Sequence, residues 1–363
     1  MAAVPEGVLP LPYGERDLAE LLGDGWKELL VRGYRWVLFG RLMDSRFLGL
    51  QRQGRVGFYG PATGHEALNV GCALLLREED WVFPGLREQL LALVRGLDLQ
   101  AYVHHLFGNG LDPSLGRQMP CHPTGRPVAY VSMASTVGTQ IVQAAGSAYA
   151  QKFRNDPGAT VAFFGDGATS TSDFHAGMNL AGVYQLPVLF VCANNQWAIS
   201  VPVRRQTAIP VLAEKSKAYG IPGERIDGTD FVRVYATLRR AFEDIRAGHG
   251  PRMVEALVYR MNPHSSSDDP TRYVPSGWMK EAQAHDPLAR LEELMDRLGL
   301  LSSEQKEAMR KEIEDQLRRA IAAAEVAQPP TPDTLFRDTL SEAVWPLTEE
   351  RDTFDRDQGG HFP

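Results

Sequence analysis

The stretch TVAFFGDG at Thr160–Gly167, followed after 26 residues by the Asn194-Asn195 pair that closes VCANN, decides how this chain reads. Each motif follows a short apolar run rich in β-formers, Thr160 to Phe164 and Val188 to Cys192, and the segment Thr171 to Tyr184 between them suits a helix. Parallel strands joined by a crossover helix end on the same edge of a sheet. Asp166 and Asn195 can therefore meet one ligand, although neither is near the other in sequence.

The pattern extends in both directions. A helix is expected over Leu29 to Phe47, a turn at Gly54, Gly57, Gly60 and Gly64, and a second helix from about His65 to Leu76. Tyr130 to Ser132 and Met253 to Tyr259 read as further strands, and Thr139 to Arg154 as a helix. Alternating β and α elements with nearly continuous apolar strands predict an α/β fold, a doubly wound parallel sheet covered on both faces. Function in such folds lies outside the carboxyl ends of the strands. Towards the C-terminus, Ser302 with Gln305 reads as a capping box, ahead of a stripe formed by Met309, Ile313, Leu317 and Ile321. That helix is expected to end at the proline joint of Pro329, Pro330 and Pro332. Leu335, Phe336, Val344 and Trp345 then anchor a polar tail suited to docking on another subunit. The expected division is an N-terminal arm and helix over 1–50, an α/β domain over 51–285, and C-terminal helices with a subunit-contacting tail over 286–363.

Composition narrows the function. A formal charge of −7 speaks against general binding of nucleic acid or an anionic membrane, since both are met by excess Lys and Arg. The apolar runs are far shorter than the roughly 20 residues of a membrane span. Three scattered cysteines, Cys72, Cys121 and Cys192, suggest neither a disulfide framework nor a CxxC site. The opening MAAVPEGVLPLPYGERDLAE, with early acidic residues and no long apolar core, fits neither a secretory signal nor a basic transit peptide, so a cytoplasmic protein is expected. His104-His105 and Cys121-His122 lack matching ligand pairs for a metal.

At the paired strand ends a hard cation is the natural ligand. Magnesium takes oxygen donors in an octahedron and keeps phosphate oxygens among them, so a carboxylate, an amide oxygen and a backbone carbonyl suit a metal-bound diphosphate. Gly165 and Gly167 allow close backbone approach, and the amides after Asp166 are expected to face the anion at a helix N-terminus. A GDG alone also fits a mere strand-to-turn corner.

GDG, 26 residues and NN, each behind an apolar strand, resembles the pattern of thiamine diphosphate enzymes. The likeness extends through GHEAL at Gly64–Leu68, DWVFP at Asp80–Pro84, GRQMP at Gly116–Pro120, NNQWAIS at Asn194–Ser200 and YRMNPHSSSDDPTRY at Tyr259–Tyr273. Over roughly residues 35 to 345 the chain is similar to the alpha subunits of 2-oxo acid dehydrogenases. The resemblance implies that Asp166, Asn195 and the carbonyl of Trp197 hold magnesium, with Gly165, Gly167 and Ala168 along the diphosphate. It places Arg87 on the diphosphate and makes His264 the active-site histidine, in contact with both the diphosphate and the reacting centre. Ser135 and Val137 fall where the family holds the aminopyrimidine, and Thr139 and Gln140 match residues that help bind a potassium ion.

Two positions depart from the family. Leu86 stands where a tyrosine often precedes the arginine, and Ala193 where some members carry an arginine before the asparagines. A hydrogen bond to a charged group contributes about 1.5 to 3 kcal/mol, so each loss is expected to weaken cofactor binding roughly ten- to hundredfold if nothing compensates. The same departures leave open a non-catalytic paralogue, which the retained Asp166, Asn195 and His264 oppose.

By the same resemblance, the chain acts only with a beta subunit, as two alpha and two beta, because the glutamate that activates the pyrimidine ring comes from beta. The acyl group then passes to a lipoyl arm of the core acyltransferase. GRQMP and HSSSDD look like branched-chain members, while DDPTRY is similar to bacterial pyruvate enzymes, so pyruvate or acetoin remains an alternative substrate. The loop after His264 can be phosphorylated in related proteins; here its serines and aspartates read equally as a polar loop with Asx-type turns.

Overall fold

The computed structural model describes residues 13–338 and 340–357. The first twelve residues of the expected N-terminal arm, the tail residue Thr339, and residues 358–363 lie outside the described residues.

Five parallel strands form the central sheet: β1 (Trp81–Phe83), β2 (Thr160–Gly165), β3 (Val188–Asn194), β6 (Gly223–Asp227) and β7 (Arg252–Leu257), ordered β1-β2-β3-β7-β6. A small antiparallel pair, β4 (Trp197–Ala198) and β5 (Val201–Pro202), follows β3. Alternation in the two central strands shows why both are continuously apolar. Val161 and Phe163 of β2, with Leu189 and Val191 of β3, face α3 (Glu66–Ala73), α4 (Gln89–Val94) and α8 (Phe231–Arg246). Ala162, Phe164, Phe190 and Cys192 face α6 (Thr139–Arg154) and α7 (Ser172–Tyr184). With both faces covered, alternate residues have no watery side to present, and the doubly wound α/β expectation holds.

A second core joins the two ends of the chain. The long α2 (Trp26–Arg52) buries Leu30, Val37, Leu38, Met43 and Phe47 together with α1 (Glu15–Leu22), α5 (Leu99–Phe107), α10 (Pro287–Arg297) and α11 (Ser303–Glu325). The Ser302 hydroxyl accepts from the Gln305 amide at 3.2 Å and the Gln305 side chain accepts from the Ser302 amide at 2.8 Å, the reciprocal cap expected from sequence. Ile313, Leu317 and Ile321 are buried, and Met309 packs partly against the same core. The short α9 (Trp278–Ala284) carries Trp278 into an aromatic cluster with Trp197 and Tyr259. A terminal α12 (Trp345–Asp357) follows the proline joint.

Several local expectations are corrected. Tyr130 to Ser132 is not a strand: Tyr130 makes only isolated bridges, to Val82 and to Gly125, after which the chain leaves the sheet. The helix after His65 ends at Ala73, where Leu75 switches to a tighter bond with the Cys72 carbonyl at 3.0 Å. β1 and β6 are strands that periodicity did not mark, the first because it is three residues long and the second because GERID is a polar sheet edge. Of the tail anchors, Leu335 and Trp345 are exposed, at 58% and 76%, while Phe336 packs edge-on against Phe354. All three cysteines are buried and unpaired. No described helix is long and apolar enough to cross a membrane.

Candidate functional site

The register pairs Gly165 with Ala193, so Asp166, just past the end of β2, and Asn194, the last residue of β3, stand side by side at the carboxyl edge. The two asparagines then divide the work. Asn194 donates from Nδ2 to Glu255 Oε1 at 2.7 Å, and its Oδ1 accepts from the Gln196 amide at 2.9 Å. Buried Glu255 is itself neutralised by Arg225 at 2.6 Å, so this network braces the strand end. Asn195, one residue on, lines the cavity outside it.

Asp166 is 1% exposed and accepts from Gln206 Nε2 at 2.9 Å, but no basic side chain pairs with it among the described residues. Burial pushes its carboxyl up to about 6, with the Gln206 amide acting the other way. An anionic oxygen so placed suits a cation, which would return it to the charged form. Asp166 opens a 3-10 turn, Asp166–Ser170, and α7 begins only at Ser172, so the amides after Asp166 belong to the turn and not to the helix N-terminus expected from sequence. The turn is tied internally by Thr169 Oγ1 donating to the Asp166 carbonyl at 2.8 Å, and from outside by Lys215 Nζ donating to the Thr169 carbonyl at 2.8 Å. A Cβ on Gly167 would stand 2.7 Å from that of Ala198, so only glycine lets β4 close over the turn.

These groups open onto one cavity of 620 Å³. Arg87, Ser135, Val137, Gln140, Gly165, Asp166, Gly167, Ala168, Asn195, Trp197 and His264 all line it; Thr139 does not. Arg87 is buried, donates to the Pro61 carbonyl, and reaches from Nη2 to the His264 carbonyl at 3.0 Å and to His264 Nδ1 at 3.3 Å. Burial, then Arg87 and Arg260, push the His264 imidazole down to about 4. A guanidinium only donates, so Nδ1 accepts and the ring proton rests on Nε2. The loop after His264 folds back on itself: Asp268 accepts from the His264 amide at 2.7 Å and from Tyr273 Oη at 2.5 Å. Asp269 forms the Asx-type turn expected, accepting from the Thr271 amide at 3.1 Å.

Comparison with known proteins bears on this geometry. Residues 34–333 match the family described as dehydrogenase E1 component. The chain belongs to that family. It is 38% identical over 327 residues to 2-oxoisovalerate dehydrogenase subunit alpha 2, mitochondrial, of Arabidopsis thaliana, covering 89% of this chain and 69% of the relative. It is 39% identical over 291 residues to 3-methyl-2-oxobutanoate dehydrogenase subunit alpha of Mycobacterium tuberculosis (strain CDC 1551 / Oshkosh), covering 79% of this chain and 77% of the relative. Identity to the pyruvate dehydrogenase E1 component subunit alpha of Bacillus cereus is 37% over 314 residues, covering 86% and 81%.

In this E1 component the two departures both sit on the cavity wall. Leu86 covers Gly60, whose added Cβ would lie 3.6 Å from the leucine side chain, and Ala193 is 3% exposed between Gly165 and Ala256. Apolar atoms therefore occupy both places. Sequence reasoning also missed polar residues that the fold brings in. Gln206 grips Asp166. His122, considered only as a metal ligand, lines the cavity and meets Ser135 Oγ from Nε2 at 2.6 Å. Behind it, His105 accepts from the His122 amide at 3.1 Å and faces Asp112 at 3.3 Å. Arg260 is buried, donates to the Ile199 carbonyl at 2.9 Å and to Tyr273 Oη at 2.7 Å, and so joins the loop to the chain beyond Trp197. His122 lies two residues after GRQMP, and nothing local marks Gln206.

Proposed function

We propose that this E1 component is the alpha subunit of a branched-chain 2-oxo acid dehydrogenase and supplies the diphosphate half of a thiamine diphosphate site. The observation that carries the reading is the convergence of Asp166, Asn195, Arg87 and His264, from four separate stretches of sequence, on one cavity at the carboxyl ends of β2 and β3. When bound, thiamine diphosphate supplies an electron sink for decarboxylation of the 2-oxo acid.

Each residue has a task in that reading. Asp166, Asn195 and the Trp197 carbonyl hold magnesium, the unpaired buried carboxylate being the charged member of the set. Gly165, Gly167 and Ala168 form the wall along the diphosphate. Arg87 presents a fork of donors to its oxygens. His264 holds its proton at Nε2, available to the diphosphate or to the reacting centre. Ser135 and Val137 meet the pyrimidine side, with Ser135 oriented by His122. Gln140 donates from Nε2 to the Phe163 carbonyl at 2.9 Å, which leaves its Oε1 to act with Thr139 on a potassium ion.

We assign an N-terminal arm and helix to 1–50, the cofactor half-site to 51–285, and C-terminal helices with a subunit-contacting tail to 286–363. The partners are a beta subunit, two copies with two of this chain, and the lipoyl arm of a core acyltransferase, in the cytoplasm. The similarity to a pyruvate dehydrogenase alpha subunit supports pyruvate as the second reading.

The test is reconstitution with the beta subunit. The complex should bind thiamine diphosphate with magnesium and turn over a panel of 2-oxo acids, branched-chain substrates fastest, while the alpha chain alone stays inactive. Absence of binding at millimolar cofactor and magnesium would remove the catalytic reading; preference for pyruvate would select the second.

A further inference from the structure

His65 stands at the N-cap of α3, 2% exposed, on the wall of the cofactor cavity. Its backbone is fixed on both sides: the amide donates to the Ala62 carbonyl at 2.8 Å, and its carbonyl accepts from the Asn69 amide at 3.0 Å and from Asn69 Nδ2 at 3.1 Å. The preceding Gly64 has φ +98°, and a Cβ there would fall 1.8 Å from the Tyr259 carbonyl oxygen, so the chain at this point is locked. The imidazole, however, has no partner. Both Nδ1 and Nε2 are buried and make no hydrogen bond.

A buried, unsatisfied donor costs about 1 to 3 kcal/mol. The Glu66 carboxylate and the Asn69 Nδ2 beside it are committed elsewhere, and the Asn69 Oδ1, itself unpartnered, makes no bond to the ring. Glu66 receives Arg41 at 2.8 Å and the Gly64 amide at 2.6 Å, and Asn69 Nδ2 also donates to the Arg87 carbonyl at 2.9 Å. The charges acting on the ring, Arg87 and Arg260, are both cationic, and with burial they hold it neutral. A neutral imidazole keeps one N–H donor, and on a cavity wall shared with the Arg87 guanidinium, with the charge of Arg260 also acting on the ring, an anion is the favoured acceptor.

The same arginines mark which part of the ligand lies there. Arg87 bonds His264, and Arg260 influences His264 and Asp166 as well as His65, whereas Ser135 and His122 form a separate pair. We infer that His65 is a diphosphate-binding residue whose ring N–H donates to an oxygen of the terminal phosphate, beside Arg87. The inference rests on the thiamine diphosphate reading given above. It also supplies a polar contact on a wall where Leu86 and Ala193 offer none.

The test uses the complex of this chain with its beta subunit, as wild type, His65→Leu and His65→Gln. Dissociation constants are measured by calorimetry with magnesium for thiamine diphosphate and for thiamine monophosphate, and cofactor-free melting temperatures are recorded. His65→Leu should bind thiamine diphosphate about tenfold more weakly, bind the monophosphate as wild type does, and melt no lower, because an unsatisfied buried group has been replaced by an apolar one. His65→Gln, which keeps a donor, should recover part of the loss. If His65→Leu binds the diphosphate like wild type, the inference is overturned and the thiamine reading stands. Equal losses for both ligands, a lower melting temperature or failure to assemble would make His65 structural and also overturn it. If the wild-type complex binds no thiamine diphosphate, both readings fall together.

Discussion

The guanidinium of Arg87 donates to the backbone carbonyl of His264 at 3.0 Å, across 177 positions of sequence, and its other amino group is anchored on the Pro61 carbonyl. One side chain thereby fixes where the His264 loop begins. Replacing it removes a buried positive charge and the loop's tether together. Arg87→Ala should weaken thiamine diphosphate binding by about a hundredfold in the reconstituted complex, and Arg87→Lys should recover little, because an ammonium cannot span both carbonyls and a phosphate. Titration of the three proteins with cofactor checks this; a lysine variant equal to wild type would reduce the role of Arg87 to charge alone.

Gln206 holds the carboxylate proposed as a magnesium ligand, with Nε2 at 2.9 Å from Asp166 Oδ2 and 3.0 Å from the Val201 carbonyl. Gln206→Leu keeps the volume and deletes the grip. The half-saturating magnesium concentration for cofactor binding should rise severalfold, as about 1 kcal/mol of orientation is lost, while the saturated complex retains its turnover. An unchanged magnesium requirement would show that Asp166 is held well enough by its turn.

His264 is pushed down to about 4 from an ordinary 6.5 in the cofactor-free chain. Its folded form therefore binds a proton less readily than the unfolded form, so this residue costs no stability above about 6.5 and an increasing amount as pH falls from there towards 4. His264→Asn removes that penalty. The melting temperature of the variant, relative to wild type, should rise as the buffer is taken from pH 7 to pH 5. Carbon-detected titration of the histidine rings gives an independent reading, and a His264 midpoint near 6.5 would contradict the assigned environment.

Gly64 sets the approach of the GHEAL segment to the strand β7 extension. With φ +98° and an added Cβ 1.8 Å from the Tyr259 oxygen, Gly64→Ala must displace backbone, not a flexible side chain. A loss of about 2 to 4 kcal/mol is expected, visible as a lower denaturation midpoint, with cofactor binding impaired in parallel because His65 is the next residue. Retention of full stability would mean that the segment has a second, relaxed arrangement.

Much of the frame is written locally. β2 and β3 are recognisable because both of their faces are buried, which leaves a run of apolar residues with few alternatives, and α11 announces itself through its cap and stripe. Asp166 and Asn195 are legible because strand-to-turn punctuation and fixed spacing place both at one sheet edge. Tyr130 to Ser132 misleads for the complementary reason: three β-forming residues are too few to say whether a neighbouring strand continues beside them, and only Tyr130 finds a partner. GERID reads as polar because an edge strand needs burial on fewer sides.

Sequence by itself determined the doubly wound sheet and the strand-end pair and, through resemblance, pointed to Arg87 and His264. Only the tertiary structure decided which groups stand behind them. Gln206 reaches Asp166 across 40 residues, His122 meets Ser135 across 13, and His65 comes to rest on the same cavity wall as Arg87 with both ring nitrogens unpartnered. Hydrophobic periodicity records which side of an element is buried. It does not record what a buried polar atom meets there, since that depends on the placement of residues from other elements.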